Sequence, residues 1–225
     1  KLSGNLYGKK SITINFQAEI EILIVQIENQ SKFDRYYKNE KEGYYQNILS
    51  RRYGISGKPD DDFVIIDKEA VVGYLNQTEK DRIFGNIQYR YKQLQKKVSI
   101  LDPKLYGKDL EKKAIGNELD FLALDKEGNI LLIEYKHGTN ASGIYLSPLQ
   151  IGLYYDIFSA LPRNELEFTV REMLAQKRRI GLINQNWSCP DTLKELIPVL
   201  IISEYNYKST AQERYNEILQ FVRLK

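Results

Sequence analysis

The chain reads as a mixed α/β protein on three observations. Two apolar runs, residues 119–124 and 130–133, flank a polar stretch that contains a glycine, the pattern of a β-hairpin. A long segment from Asn76 to about Lys97 places Ile83, Phe84, Ile87, Tyr91 and Leu94 at helical spacing. A further apolar run, residues 197–203, suits a strand buried on both faces.

Taken in order, residues 11–16 alternate polar and apolar side chains and predict a short strand, whereas residues 18–26 fit strand and helix spacing equally. The Tyr, Lys and Glu mixture of residues 32–52 predicts a helix broken by Gly54 and Gly57-Lys58-Pro59. Residues 63–66 and 70–74 around Asp67-Lys68-Glu69 predict a hairpin, and residues 98–101 a strand before Asp102-Pro103. After the central hairpin, Ser147-Pro148 has the form of a helix N-cap followed by Pro at the first helical position, opening a helix to about Phe158. A second helix spans residues 164–179. A closing amphipathic helix spans residues 210–224, with Tyr215, Ile218, Leu219 and Val222 on one face. From Thr78 onward the order is helix, strand, strand, strand, helix, strand, with extra helices late. Residues 1–76 are then an N-terminal α/β accessory region of unassigned role, and residues 77–225 the main domain.

Composition narrows the classes. At 225 residues the chain can fold without staples, its single Cys189 cannot pair internally, and no Cys/His cluster has zinc spacing. No apolar run approaches 18 residues, so a cytoplasmic protein with no membrane span is expected. With Lys at position 1 and its one Met at 173, the chain is expected to be a trimmed protein or a fragment. A net charge of +3 does not by itself imply nucleic acid. The clusters Arg51-Arg52, Lys96-Lys97, Lys112-Lys113 and Lys177-Arg178-Arg179 suit phosphate contacts, with Tyr53, Tyr89 and Tyr91 available for base stacking.

The chemistry-bearing residues sit on the central hairpin. A loop of Lys126 to Gly128, with Gly128 in the left-handed position, pairs Asp125 with Asn129, and counting outward sets Asp120 opposite Glu134. Opposed residues of an antiparallel pair share a face with β-carbons about 5 Å apart, so two carboxylates there can share one ion. Lys136 shares that face, and His137, the only histidine, has the alternate parity, which assigns it to the surface or to a supporting role. Glu-x-Lys recurs by chance at Glu111-Lys112-Lys113, but in a wholly polar stretch. The copy at Glu134 ends a buried strand, where charge is costly unless paired or metal-bound.

At these residues the chain resembles the PD-(D/E)xK nuclease superfamily, with its restriction-endonuclease-like fold. The pattern Glu-Leu-Asp-Phe-Leu-Ala-Leu-Asp, turn, Leu-Leu-Ile-Glu-Tyr-Lys is close to the second and third motifs of that superfamily, although Leu119 stands where the family name has Pro. The resemblance covers about two thirds of the chain, through the αβββαβ order. It implies a metal-dependent phosphodiesterase with Asp120 and Glu134 as ligands to Mg²⁺ or Mn²⁺, the Tyr135 carbonyl as a further ligand and Lys136 beside the scissile phosphate. Gln150 and Tyr154, four apart on the Ser147 helix, are similar to a Gln-x-x-x-Tyr pair that lines the site in the recombination-exonuclease branch. Tyr154 is equally a candidate core aromatic. The superfamily often takes a further acid from the helix preceding the first strand, for which Glu79 is the first candidate, Asp81 the second and Glu118 a substitute. Acids at a helix start are also explained by the macrodipole alone. The implied partner is DNA, with RNA as the alternative substrate, in a homodimer or a larger restriction or repair assembly. A catalytically degenerate nucleic-acid-binding module is the competing class.

Overall fold

The computed structural model describes residues 21, 41–74, 76–104, 106, 110, 114–116 and 118–222. Apart from Glu21, the strand expected at residues 11–16 and the ambiguous segment 18–26 lie outside the described residues, as do residues 32–40 of the first predicted helix. The chain divides into two compact units, Lys1–Gly43 and Tyr44–Lys225. Of the first, only Glu21 and the start of one helix are described; the sheet and the helices packed on it belong to the second.

The elements are α1 (Lys41–Arg52), β1 (Phe63–Ala70), α2 (Gln77–Leu101), β2 (Leu119–Asp125), β3 (Ile130–His137), α3 (Ala141–Ser159), α4 (Arg163–Arg179), β4 (Leu196–Ser203) and α5 (Ala211–Leu219). They form a mixed α/β fold around a four-stranded sheet in the order β1-β2-β3-β4. The first three strands are antiparallel neighbours, and β4 runs parallel to β3 after the α3–α4 crossover.

Alternation along the strands separates two faces. Val64, Leu122, Leu124, Ile130 and Leu132 pack with Tyr154 and Phe158 of α3 and with Leu166, Val170 and Leu174 of α4. Ile65, Phe121, Ala123, Ile133 and Tyr135 pack on the other face, against Tyr45, Leu49 and Tyr53. A third cluster joins Tyr91, Leu94 and Val98 of α2 to Leu149 and Leu153 of α3 and Ile218 of α5.

Several expectations are corrected by the fold. Residues 63–74 hold one strand, not a hairpin: β1 runs through Asp67-Lys68-Glu69, with a register shift between Ile65 and Asp67 that marks a bulge. Polar residues suit this strand because it is an edge of the sheet among the described residues, where the Ile65 N–H reaches the Tyr53 carbonyl instead of a further strand. β1 is hydrogen-bonded to β2, so the sheet draws on residues before 77 and a division at 76/77 would cut it. Residues 98–101 continue α2, since Leu94 and Val98 lie four apart on one buried stripe while Ile100 and Leu101 are exposed. β4 is half-buried along its whole length rather than buried on both faces.

The helix expected to begin at Ser147 begins at Ala141. Asn140 caps it by accepting a hydrogen bond from the Gly143 N–H. Ser147 and Pro148 are interior, and the local chemistry shows how. Proline supplies no N–H to the carbonyl four residues earlier, that of Ile144. The Ser147 hydroxyl donates to that same carbonyl at 2.7 Å. The remaining helix ends fall within a few residues of expectation: α2 is capped by Asn76, α4 spans 163–179 and α5 ends at Leu219. None of the helices among the described residues is long and apolar enough to cross a membrane.

Candidate active site at the open end of the β2–β3 hairpin

The site begins with the turn. Gly128 has φ of 95°, the left-handed region that a Cβ disfavours, and an added Cβ would strike the Thr192 carbonyl oxygen. Asp125 stabilises the turn by accepting from the N–H groups of Glu127 and Asn129. The resulting register pairs Leu124 with Ile130 and continues to Phe121 with Ile133, where the ladder ends. One step further the same register sets Asp120 opposite Glu134, as the loop length predicts.

Beyond the last ladder pair the Asp120 carboxylate takes a backbone partner. Its Oδ2 accepts from the Tyr135 N–H at 2.7 Å, and its Oδ1 from the Gln46 side-chain amide of α1 at 3.0 Å. Glu134, only 2% exposed, is bonded by the Lys136 ammonium at 2.5 Å, and the same ammonium lies 3.9 Å from Asp120 Oδ2. One buried lysine therefore serves two carboxylates. Burying this set is tolerated because each charge has an opposite partner within reach.

α3 brings Tyr154 and Gln150 to the same place. The Tyr154 hydroxyl donates to the Glu118 carbonyl at 2.5 Å. Burial, then the negative charges of Glu134 and Asp120, push that hydroxyl well above the ordinary tyrosine range, so it stays protonated. A Cβ on Gly116 would lie 2.7 Å from the Tyr154 hydroxyl and 3.2 Å from the Gln150 amide nitrogen, so Gly116 lets the chain pass close to both. Gln150 and Lys136 border one cavity of about 350 Å³ next to the α3 N-terminus. Tyr154 is also part of the core beside Leu122 and Leu132, so the two readings of this residue coexist.

Other expected residues stand apart. Glu79 lies in the first turn of α2, its N–H accepted by Asn76, and among the described residues no cluster of three His, Cys, Asp or Glu side chains joins it to Asp120 and Glu134. Asp81 accepts from Gln77 on the α2 surface, and Glu118 is exposed. The Tyr135 side chain is buried on the opposite face, and its main chain meets the site through the N–H described above. His137 is on that face too, but buried at 2% exposure and not on the surface. Its Nδ1 contacts the Thr139 hydroxyl at 2.8 Å and its Nε2 lies 3.2 Å from Glu204, which also accepts from the Tyr45 hydroxyl.

Sequence reasoning missed Gln46. The signal is present: Tyr45 and Leu49 of α1 and Tyr53 just after it follow an i, i+4, i+8 spacing, and Gln46 is the amide beside it. Of the basic clusters, Arg52 is paired with Asp61 and Lys177 with Asp67, and Arg178 donates to the Trp187 carbonyl. Lys96 and Lys97 are exposed, whereas Lys112 and Lys113 lie outside the described residues. Tyr89 is exposed, Tyr91 is buried at 1% and cannot stack on a base, and Tyr53 is already stacked on Phe63. Compared with protein-family models, with curated proteins and with solved structures, the chain matches none.

Proposed function

We propose that the chain is a metal-dependent nuclease that hydrolyses phosphodiester bonds in DNA. The observation that carries this reading is the convergence of Asp120, Glu134 and Lys136 at the end of one hairpin, with a lysine ammonium in reach of both carboxylates. The hairpin lies in a mixed α/β sheet, with β2 and β3 antiparallel and β4 parallel to β3, although the αβββαβ order expected from Thr78 onward is not the one observed.

The donor set suits a hard cation. Mg²⁺ keeps several waters and is held by one or two carboxylates with substrate phosphate, so Asp120 and Glu134 suffice without a third acid. When bound, such an ion polarises a phosphoryl oxygen and acidifies a water. The chain's own residues do the rest. Asp120 is held in place by the Tyr135 N–H and the Gln46 amide. Asp120 and Glu134 would hold the ion, and the Lys136 ammonium beside them would stabilise the charge that grows on the phosphoryl oxygens. The oxygen of the attacking water bonds to phosphorus as the bond to the leaving oxygen breaks, and that oxygen takes up a proton.

A labelled duplex and its single strands, incubated with Mg²⁺ or Mn²⁺, test the reading. Asp120→Asn and Lys136→Ala are expected to lose at least about 100-fold in cleavage, the scale of a lost charge-stabilising group, while DNA affinity stays within about tenfold. Wild-type cutting by Lys136→Ala would refute the assignment. One observation favours a second reading, a binding module without turnover: the Lys136 ammonium already stands between the two carboxylates, where it can take the part of a structural cation. Metal titration separates the two, since the module predicts no metal-dependent cleavage of DNA or RNA.

A further inference from the structure

A second cavity, of about 380 Å³, is bordered by Tyr154 and takes no part in the chemistry above. It opens between the chain leaving β1, the first turns of α2, and α3. Its lining is mixed, with Val72, buried Phe84 and Tyr154 among the apolar contributors. The mouth is different. Tyr74 is 41% exposed there, the Lys80 ammonium sits 4.9 Å from its ring centroid, and Gln88 adds an amide to the lining.

These features define a ligand: a flat, weakly polar group that slides past an aromatic rim, bonds an amide along one edge and is tethered to a negative charge. A nucleobase on its phosphodiester chain has all of these properties. The volume falls in the range of small-molecule sites, and Tyr154 borders both this cavity and the carboxylates. Building on the nuclease reading, we infer that the cavity receives an unpaired base next to the bond to be cut, with Lys80 on the adjoining phosphate. A paired base would first have to leave its stack, at a cost of a few kcal/mol, whereas a single strand, a frayed end or a branch offers one freely. The substrate class is therefore DNA with unpaired bases rather than continuous duplex.

The test uses a fluorescein-labelled single strand and the matching blunt duplex, with binding to the Asp120→Asn protein followed by anisotropy and cleavage by the wild-type protein followed with Mg²⁺. Single strand is expected to bind at least about tenfold tighter than duplex. Tyr74→Ala should weaken single-strand binding about 5- to 150-fold, the range for a lost base–aromatic stack, and leave duplex binding unchanged and the protein folded. Gln88→Ala, which removes only an amide, should weaken it in the same direction and more for some bases than for others. Equal binding and cutting of the two substrates overturns the base pocket and leaves the nuclease reading standing. Single-strand preference that neither variant alters also overturns it. Absence of both binding and cutting overturns both readings together.

Discussion

Lys136→Ala offers a test that does not depend on finding the substrate. The Lys136 ammonium lies 2.5 Å from Glu134 Oε1 and 3.9 Å from Asp120 Oδ2, with side-chain exposures of 8%, 2% and 18% respectively. At an effective dielectric near 20 these separations give gross attractions of about 7 and about 4 kcal/mol. Most of that is offset by the cost of removing three charges from water, so the intact set is close to neutral for stability. Deleting the ammonium alone removes the attraction but returns neither carboxylate to water. The expected loss is about 3–5 kcal/mol, the range for breaking a buried pair. In a chain of this size that lowers the melting temperature by about 6–20 °C. Glu134→Gln combined with Lys136→Met keeps shape and removes both charges, and should recover most of the loss. Mg²⁺ at about 100 times its dissociation constant should return about 2.7 kcal/mol to the Lys136→Ala protein and less to the wild type, whose ammonium competes for the carboxylates. Differential scanning calorimetry with and without Mg²⁺ reads each of these states. A Lys136→Ala protein that melts within about 2 °C of wild type would refute the argument that this lysine offsets buried charge.

Other contacts give three further expected outcomes. The Arg52 guanidinium beside Asp61 lowers that carboxyl to about 2, so the pair stabilises the fold above the usual carboxylate range near pH 4 and loses its effect as pH falls toward 2. Arg52→Ala should therefore destabilise the fold at pH 7 and progressively less in acid; a cost independent of pH in denaturant titrations would contradict this. Tyr154→Phe loses one hydrogen bond, about 1 kcal/mol, whereas Tyr154→Ala empties the core beside Leu122 and should cost about 3–5 kcal/mol in urea unfolding. Gly128→Ala combines left-handed backbone with a collision at the Thr192 carbonyl; it should lower the urea midpoint by the equivalent of at least about 1 kcal/mol, with a neutral result arguing against the turn geometry.

The hairpin register is legible in the sequence because two independent signals agree on it, the glycine that the turn requires and the alternation that fixes which residues face the core. Nothing comparable marks the start of α3. Interior Pro148 mimics a first-turn proline, and the hydroxyl of Ser147 that makes the interior position tolerable is invisible to spacing rules. The strand order misleads for a topological reason. β1 is separated from its neighbour β2 by the whole of α2, so the helix before the first strand is α1, and the side chain that meets Asp120 is Gln46 of α1 rather than Glu79 of α2. Pairing across about 49 residues between the end of β1 and the start of β2 leaves no local trace. The tolerance of the edge strand for Asp67-Lys68-Glu69 removes the remaining cue by making a bulged strand look like a turn.

The contact of His137 and Tyr45 with Glu204 has a mechanical consequence for the face it does not touch. Glu204 holds a left-handed backbone, φ of 46°, where the chain leaves β4, and its carboxylate joins the end of β3 to α1. Tyr45 is the residue before Gln46 on the same helix, so whatever sets the Tyr45 ring also sets the reach of the Gln46 amide toward Asp120. Two successive residues of α1 are thus bonded to two different strand ends, Tyr45 to Glu204 after β4 and Gln46 to Asp120 of β2.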